Sequence, residues 1–342
     1  MTHMRPQSAP AAYRFDWSWS VTIIVVVLMI GFRHEVGADW EGYINLSREM
    51  KNETFDAVLT SKDMAYGLLN WFGVNVAGDI YFVNLSCAVL FCWGLAAFCR
   101  QQPRPWLALL VALPYLITVV AMGYSRQGVA IGLAMLAIAK LEDGRTARFI
   151  FWMLMATLFH KSSLVLIPFA AFSASRYRLI VLFGVVISTA VLFVVLIQDQ
   201  LDYFSRNYVE IELGSSGAGI RLAMNSIPAL LFLLFKNNLA FDCKLRSFWL
   251  WMAWSALLLI PILVVSPSST AVDRVALYWI PLQLFVYSRL PDVFGILGRR
   301  NPLWVTLIFS YSSSLMVGWL LLSDFASYWL PYRFYPWEAL WS

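Results

Sequence analysis

The chain has 342 residues, of which 60% are hydrophobic, 16% are aromatic and only 13% are charged, and its mean hydropathy is +0.68. This composition excludes an ordinary soluble domain and indicates a protein whose solvent is the bilayer. The formal net charge is +5, and the basic and acidic residues sort to opposite ends of the hydrophobic runs.

Hydrophobic runs that suit transmembrane or buried helices recur along the whole chain. The first run, 17 to 33, has few basic residues before it and no cleavage site after it, so we expect a retained helix, not a signal peptide. Further runs lie at 79 to 99, 106 to 122, 128 to 141, 147 to 160, 162 to 175, 178 to 197, 220 to 235, 247 to 265, 275 to 288 and 303 to 322. The prediction is an all-α, polytopic membrane protein with about 11 (10 to 12) transmembrane helices, forming a single integral membrane domain over residues 1 to 342.

The distribution of positive charge predicts the orientation. With the N-terminus in the cytoplasm, most of the 25 lysine and arginine residues fall in inner connections, as the positive-inside rule expects. The outer face then consists of the loops 33–78 and 198–220 and the C-terminal tail 323–342. Within the first loop, the interrupted apolar stretch 64 to 78 predicts an interfacial or re-entrant helix.

The first outer loop combines acids with aromatic residues. Asp39 and Glu41 are candidate catalytic carboxylates, and Asp39 is the better candidate for a general base. Trp40 and Tyr43 lie between and after them, and aromatic faces of this kind stack on sugar rings. The alternative is a solvated loop with no chemical role.

Arginines at outer helix ends form the second predicted feature. They are Arg33, Arg126, Arg221 and Arg274. Arg126 opens an uncharged helix without an acid within a helical turn, and an arginine beside a helix N-terminus can receive phosphate oxygens. Four cations at one depth predict a pocket for a diphosphate, although Arg126 can also reach for lipid headgroups and Asp273 can pair with Arg274.

Two further segments carry polar candidates. His160 interrupts two short apolar runs, and its imidazole can orient an acceptor hydroxyl, move a proton or serve only the fold. Chain breaks of this kind are tolerated at membrane depth where they line a cavity. The aromatic tail includes Tyr332 and Arg333, which form either an interfacial aromatic belt or a platform for lipid or sugar.

The order of these short motifs resembles the EpsG family over most of the chain. The matching motifs are Arg-x-x-x-Gly-x-Asp-x-x-x-Tyr from Arg33 to Tyr43, Ser-Arg-Gln-x-x-Ala from Ser125 to Ala130, Phe-His-x-Ser from Phe159 to Ser162, and the aromatic Pro-Tyr tail. The candidate residues on the shared pattern are Arg33, Asp39, Arg126, Gln127 and His160, and we group Gln127 with the glycan-binding candidates.

The resemblance implies a bacterial inner-membrane glycosyltransferase of the GT-C type, similar to Wzy-type polymerases, that needs no metal or cofactor. It would join undecaprenyl-diphosphate-linked oligosaccharides into O-antigen or exopolysaccharide at the periplasmic face, where the C-terminus also lies. The expected partners are these lipids and the bilayer, with a chain-length regulator as an optional third and no nucleic acid.

Other functions remain open from the sequence. An O-antigen ligase or another lipid-linked-sugar glycosyltransferase would need almost the same arginine pocket. A flippase or transporter would need polar residues along a path across the bilayer, whereas here they gather at the outer helix ends. A structural partner of an exopolysaccharide complex would tolerate replacement of Arg126 or Asp39.

Overall fold

The computed structural model describes residues 16–59, 61, 63–142, 145–171, 217–239, 241, 245–266, 269–296 and 299–341. Within these ranges all regular structure is helical, and the one extended contact is an antiparallel bridge between Arg33 and Phe334. The predicted span 178 to 197, most of the predicted outer loop 198–220 and the end of the predicted span 162 to 175 lie outside the described residues.

Sixteen α-helices are described, numbered here in chain order. They are α1 (Trp17–Gly31), α2 (Trp40–Met50), α3 (Phe55–Leu59), α4 (Met64–Phe72), α5 (Ile80–Arg100), α6 (Pro105–Ala112), α7 (Ser125–Glu142), α8 (Thr146–Phe159), α9 (Ile167–Ala171), α10 (Ala218–Phe235), α11 (Arg246–Val265), α12 (Ser269–Ala276), α13 (Ile280–Tyr287), α14 (Leu290–Phe294), α15 (Pro302–Leu322) and α16 (Tyr335–Trp341).

Acidic caps begin two of the long apolar helices. The Asp16 carboxylate accepts hydrogen bonds from the backbone N–H groups of Ser18 and Trp19 at the start of α1, and Asp79 accepts one from Phe82 at the start of α5. Such caps satisfy backbone donors that have no partner inside the helix. The predicted runs 17 to 33 and 79 to 99 therefore become α1 and α5 almost without change.

Glycines allow α5 and α7 to cross in close contact. A Cβ atom added to Gly94 would lie 1.7 Å from the carbonyl oxygen of Gly132, and one added to Gly132 would lie 2.6 Å from the Cα atom of Phe91. Small residues at a helix crossing let the backbones approach, as is common in membrane bundles. Both helices also contact other elements, α5 with α1 and α7 with α8.

Prolines and wide turns interrupt several other helices. The helix that starts at α6 continues as a π-helix over Leu113–Ala121, and α4 continues as one over Gly73–Ala77 that ends at Gly78 with φ 96°. The predicted span 275 to 288 is not one regular helix, because α12 passes through a 3-10 turn, Leu277–Trp279, before α13. Pro281 near the start of α13 lacks the N–H that a continuous α-helix would use.

Buried amides join the helices of the second half. The Gln283 side chain on α13 donates to Asn225 Oδ1 on α10 at 2.8 Å, and Asn225 Nδ2 donates to the Ala276 carbonyl at 2.8 Å. All the polar atoms of this chain of bonds lie in the interior, where an unpaired amide is costly. The last turn of α12 is therefore fixed against α10 and α13.

We call the helix ends that meet residues 32–79 and 323–341 the site end, and those that meet residues 100–104 and 289–301 the basic end. At the basic end, Arg104 binds the Asp292 carboxylate through two nitrogens, at 2.8 and 3.2 Å. Arg104 also donates to the carbonyls of Arg299 and Arg300. This ion pair anchors the α14–α15 connection beside the start of α6.

By length and composition, α5, α10, α11 and α15 are each able to cross a membrane, and they are the four such helices among the described residues. Shorter apolar helices lie at Trp17–Gly31, Pro105–Ala121 and Thr146–Phe159. The protein is thus an all-helical membrane protein, and the finer prediction of about 11 crossings stays a prediction.

The C-terminal tail closes over the first connection at the site end. His34 N–H donates to the Arg333 carbonyl at 3.0 Å, and Tyr335 N–H donates to the Phe32 carbonyl at 2.8 Å. The buried Trp329 indole donates to the Thr118 carbonyl at 2.7 Å and meets Trp319 edge to face. The predicted loop and tail are therefore in direct contact.

Candidate active site

Six charged residues at the site end come from five separate parts of the chain. They are Asp39 before α2, Asp63 before α4, Arg126 on α7, Arg221 on α10, and Asp273 with Arg274 on α12. Helix packing brings them together, since α10 and α11 both contact α12, and the 3-10 turn Lys161–Leu166 contacts both α7 and α12.

Asp39 is held at a tight turn between α1 and α2. The turn uses Gly37, whose φ is 105° and whose N–H donates to the Tyr328 carbonyl at 2.9 Å. A Cβ atom at Gly37 would lie 2.7 Å from the Met122 carbonyl oxygen, so the backbone could not come this close with another residue. The tail and the end of the α6 helix thereby fix the position of Asp39.

The Asp39 carboxylate lies within electrostatic range of two cations. Burial raises its pKa above the usual value, and the nearby charges of Arg274 and Arg126 act in the opposite direction. Although Asp39 occupies the N-cap position of α2, its side chain makes no capping hydrogen bond. Its oxygens are therefore available to accept a proton or a hydrogen bond from a ligand.

Arg126 has a carboxylate partner that its own helix does not supply. Its Nη1 atom lies 2.7 Å from Asp63 Oδ2, and its guanidinium lies 5.8 Å from the ring centre of Tyr66 on α4. The side chain of Arg126 retains 36% of its exposure, so it can still be reached from solvent.

Arg274 differs from Arg126 and Arg221 in that it forms no ion pair among the described residues. The sequence left open a pair between Asp273 and Arg274, but Asp273 instead forms an ion pair with Arg221. The exposed Arg274 has no carboxylate within 4 Å in the described part of the chain; its guanidinium lies 6.0 Å from the ring centre of Tyr124. Its backbone is fixed by the buried Gln127 amide, which donates to the Arg274 carbonyl at 2.5 Å.

Tyr124 lies close to charged residues from several of these segments. It lies within electrostatic range of Asp39, of Arg274 and of the Arg221–Asp273 pair. Tyr124 directly precedes the Ser125 to Ala130 motif and was not among the predicted site residues, and Asp63 belonged to no motif at all. Both could be found only once long-range contacts were known.

Arg33 is turned into the protein instead of toward Asp39. It is 1% exposed, and its guanidinium donates to the Ile30 carbonyl, to Asn84 Oδ1 at 3.1 Å and to Ser125 Oγ at 2.7 Å. Because Ser125 precedes Arg126, the contact fixes the start of α7. The structure thus brings Arg126 and Arg274 near Asp39 and Arg221 near Tyr124, while Arg33 is buried and bonded to neutral groups.

The predicted glycan-binding residues differ in their exposure and in their hydrogen-bond partners. Trp40 and Tyr43 are buried, at 7% and 4% exposure, and Glu41 is exposed on the same helix. The Tyr332 hydroxyl donates to the Met29 carbonyl at 2.6 Å, and Arg333 pairs with Glu35 at the surface. As sugar-contacting residues they stay predictions.

His160 ends α8 and is half-buried. Its backbone carbonyl accepts a hydrogen bond from Ser163 N–H at 3.1 Å, which turns the chain into the 3-10 segment beside α12. The break that the sequence predicted at this position is therefore present. Among the described residues, no group of three or more His, Cys, Asp or Glu side chains is arranged to hold a metal ion.

Helical structure, apolar spanning helices and a charged site at one end define a polytopic membrane protein. The model of the EpsG family matches residues 16–334, nearly the whole described chain from α1 to the tail, so this protein belongs to the EpsG family. EpsG is a family of Wzy-type polysaccharide polymerases. No curated protein and no solved structure matches the chain.

Proposed function

We propose that this protein joins undecaprenyl-diphosphate-linked oligosaccharide units into O-antigen or exopolysaccharide at the periplasmic face of the inner membrane. The observation that carries the proposal is the position of Asp39, a partly buried carboxylate that lies within electrostatic range of Arg126 and Arg274 and whose oxygens have no hydrogen bond or ion pair among the described residues. Family membership supplies the reaction class, and this arrangement suggests which residues perform it.

The proposed reaction is a displacement at the anomeric carbon of the growing glycan. A hydroxyl oxygen of the incoming unit forms the new bond to that carbon, and the bond from the carbon to the diphosphate oxygen breaks. The hydroxyl proton passes to the Asp39 carboxylate, and the electron pair leaves with undecaprenyl diphosphate. The reaction thus needs one proton acceptor and cations for the departing anion.

Arg274 and Arg126 are the proposed cations. Arginine binds phosphate oxygens through paired, charged hydrogen bonds, and such bonds stabilise charge that develops as the leaving group departs. Arg274 is exposed and free of carboxylates within 4 Å in the described residues, so it can take up the diphosphate without first breaking an ion pair.

Burial and charge adjust Asp39 for the role of base. Burial raises the carboxylate pKa and makes it a better proton acceptor, while the charges of Arg274 and Arg126 act in the opposite direction and favour the ionised form. His160, on a segment next to α12, is the proposed helper that orients the acceptor hydroxyl. We place this metal-independent chemistry in the GT-C class.

A flippase would need a polar route through the molecule. The free carboxylate and the cations near it instead gather at the site end, which favours chemistry at one face. An O-antigen ligase would use the same leaving group with a different acceptor, so the experiment has to separate polymerisation from ligation.

The test replaces the chromosomal gene with variants and compares the glycan ladders of cells that contain equal amounts of the protein in their membranes. We expect Arg274→Ala to abolish the ladder while single repeat units still reach the final acceptor, because removal of one transition-state donor costs about 100-fold or more in rate. Arg274→Lys should restore part of the ladder, because it keeps the charge without the planar fork.

The matched control is Arg48→Ala, which removes an exposed arginine on α2 whose one side-chain partner among the described residues is Asn45, and it should leave the ladder intact. A full ladder in Arg274→Ala would contradict the proposed site. Loss of even single units would point to ligation or lipid transport.

A further inference from the structure

The Asp63 carboxylate, at the start of α4, has an unusual hydrogen-bond partner. It occupies the N-cap position, where a carboxylate commonly accepts backbone N–H groups of the helix. Here the side chain forms no capping hydrogen bond, and Oδ2 accepts a hydrogen bond from Arg126 Nη1 at 2.7 Å. The carboxylate is thus used to hold a distant arginine instead of its own helix.

The same helix also supports the face of that arginine. Tyr66, one turn after Asp63, lies with its ring centre 5.8 Å from the Arg126 guanidinium. The Asp63 side chain is 10% exposed, so the ion pair is better shielded from water than a surface pair. One edge and one face of the guanidinium are therefore fixed by α4.

Donors of Arg126 remain for a ligand. A guanidinium carries five N–H donors in a rigid fork, and the bond to Asp63 uses one of them. A side chain that is already oriented loses less conformational freedom when it binds an anion. Fixing the fork in advance would thus favour a diphosphate that approaches its free edge.

We infer that Asp63 is a positioning residue, which orients Arg126 toward the diphosphate of the lipid-linked substrate and affects turnover through that arginine. The inference rests on the proposed function. A carboxylate that merely ties α4 to α7 through the same ion pair would instead lower the thermal stability on Asp63→Asn and leave kcat of the folded protein unchanged.

A double-mutant cycle separates these two roles. Wild type, Asp63→Asn, Arg126→Ala and the double variant are compared as full-length proteins in proteoliposomes, with kcat and KM measured on lipid-linked repeat units. A positioning role predicts that Asp63→Asn lowers kcat by about 10-fold to 100-fold, as expected for a displaced catalytic group. In the Arg126→Ala background the same change should have no effect.

Two further variants complete the test. Asp63→Glu keeps the charge and should recover much of kcat, and Asp79→Asn, which alters another acid at a helix start in the same loop, should behave as wild type. If Asp63→Asn does not accumulate in membranes, Asp63→Glu takes its place in the cycle: an effect only when Arg126 is present supports the inference, and an equal effect in both backgrounds overturns it.

The outcomes also separate the inference from the function on which it rests. If the wild type polymerises but the losses in the cycle are additive, the role of Asp63 is overturned and the proposed function stands. The same holds if Asp63→Asn is fully active. Wild-type protein that releases no undecaprenyl diphosphate and builds no polymer overturns both the proposed function and the inference.

Discussion

Asp39 has to satisfy two opposed requirements at the scale of a single residue. As the proposed base it must be ionised, yet its partial burial raises its pKa and so disfavours the charged form. A raised folded-state pKa gives a stability contribution that is fully present below the unfolded value of about 3.9 and is lost as the pH rises through the folded pKa. At neutral pH the ionised carboxylate therefore destabilises the folded protein.

We predict that Asp39→Asn has opposite effects on activity and stability. Turnover should fall by about 100-fold or more, because the proton acceptor is lost. The thermal midpoint in detergent should rise relative to wild type at pH 7, and this advantage should shrink as the pH is lowered toward 4. Turnover on lipid-linked units and thermal unfolding at several pH values measure the two effects.

The control is Glu49→Gln, which neutralises an exposed acid on the same short helix. It should change neither quantity. An active Asp39→Asn would remove Asp39 from the mechanism, and an unchanged stability profile would contradict the raised pKa.

At the scale of elements, the contact between α5 and α7 determines where the site residues on α7 lie. It joins the helix that starts at Asp79 to the helix that presents Arg126, and glycines set its spacing. A shift of α7 would move Arg126, Gln127 and, through the Gln127 bond, the backbone of Arg274.

We predict that Gly132→Leu prevents stable folding, because even its Cβ atom would overlap the Phe91 backbone. Overpacking of a tight core costs about 1–3 kcal/mol or more, and a backbone clash leaves little room for relief. Fluorescence-detected size exclusion of detergent extracts gives the measurement. Gly318→Leu on α15, where an added Cβ meets nothing within 4 Å, is the matched control and should elute as wild type.

The tail is the second element whose contribution can be measured. We predict that Trp329→Ala lowers the free energy of unfolding by about 3–5 kcal/mol, the range for buried aromatic truncations. The ring is 4% exposed, packs against Gly123 and Trp319, and loses an indole hydrogen bond when removed. Trp337→Ala, at 63% exposure, should leave thermal stability unchanged. Equal stability of the two variants would contradict a structural role for the tail.

At the scale of the whole molecule, the ends of the helices differ in chemistry. Arginines dominate the basic end, whereas the site end combines acids, aromatic residues and the proposed catalytic group. The positive-inside rule then predicts that the basic end faces the cytoplasm. This orientation is required if the site is to meet lipid-linked units after their export.

Cysteine labelling tests the orientation. In a Cys243→Ser background, Glu49→Cys should react with a membrane-impermeant maleimide in intact spheroplasts, and Arg299→Cys should react only after permeabilisation. The buried Cys87, Cys92 and Cys99 provide little background reaction. The reverse labelling pattern would contradict the predicted topology and the proposed periplasmic site.

The sequence predicted the long helices well, because runs of apolar residues report directly on helices in a bilayer. The predicted run 303 to 322 matches Pro302–Leu322, and 247 to 265 matches Arg246–Val265. It predicted the irregular helices less well, since hydropathy does not show where a proline or a wide turn will divide a continuous apolar run, as at Pro281.

Charge partners were beyond sequence reasoning for a different physical reason. Asp63 and Arg126 are 63 residues apart, and Asp273 lies beside Arg274 in sequence but pairs with Arg221, 52 residues away. Such pairs depend on how helices pack, which local patterns do not encode. The buried position of Arg33 has the same origin: the sequence placed it with the cations at the outer helix ends, but it donates its hydrogen bonds to neutral acceptors in the interior.

The backbone contact between the first connection and the tail has a consequence for synthesis of the protein. The side chains of Glu35 and Arg333, which accompany this contact, are 298 residues apart, so a ribosome must add the whole intervening chain before the two segments can meet. Gly37, which shapes the turn before Asp39, bonds to the same late-made segment. We therefore expect a chain that stops before this tail to be inserted but inactive, with catalysis withheld until the tail has been made.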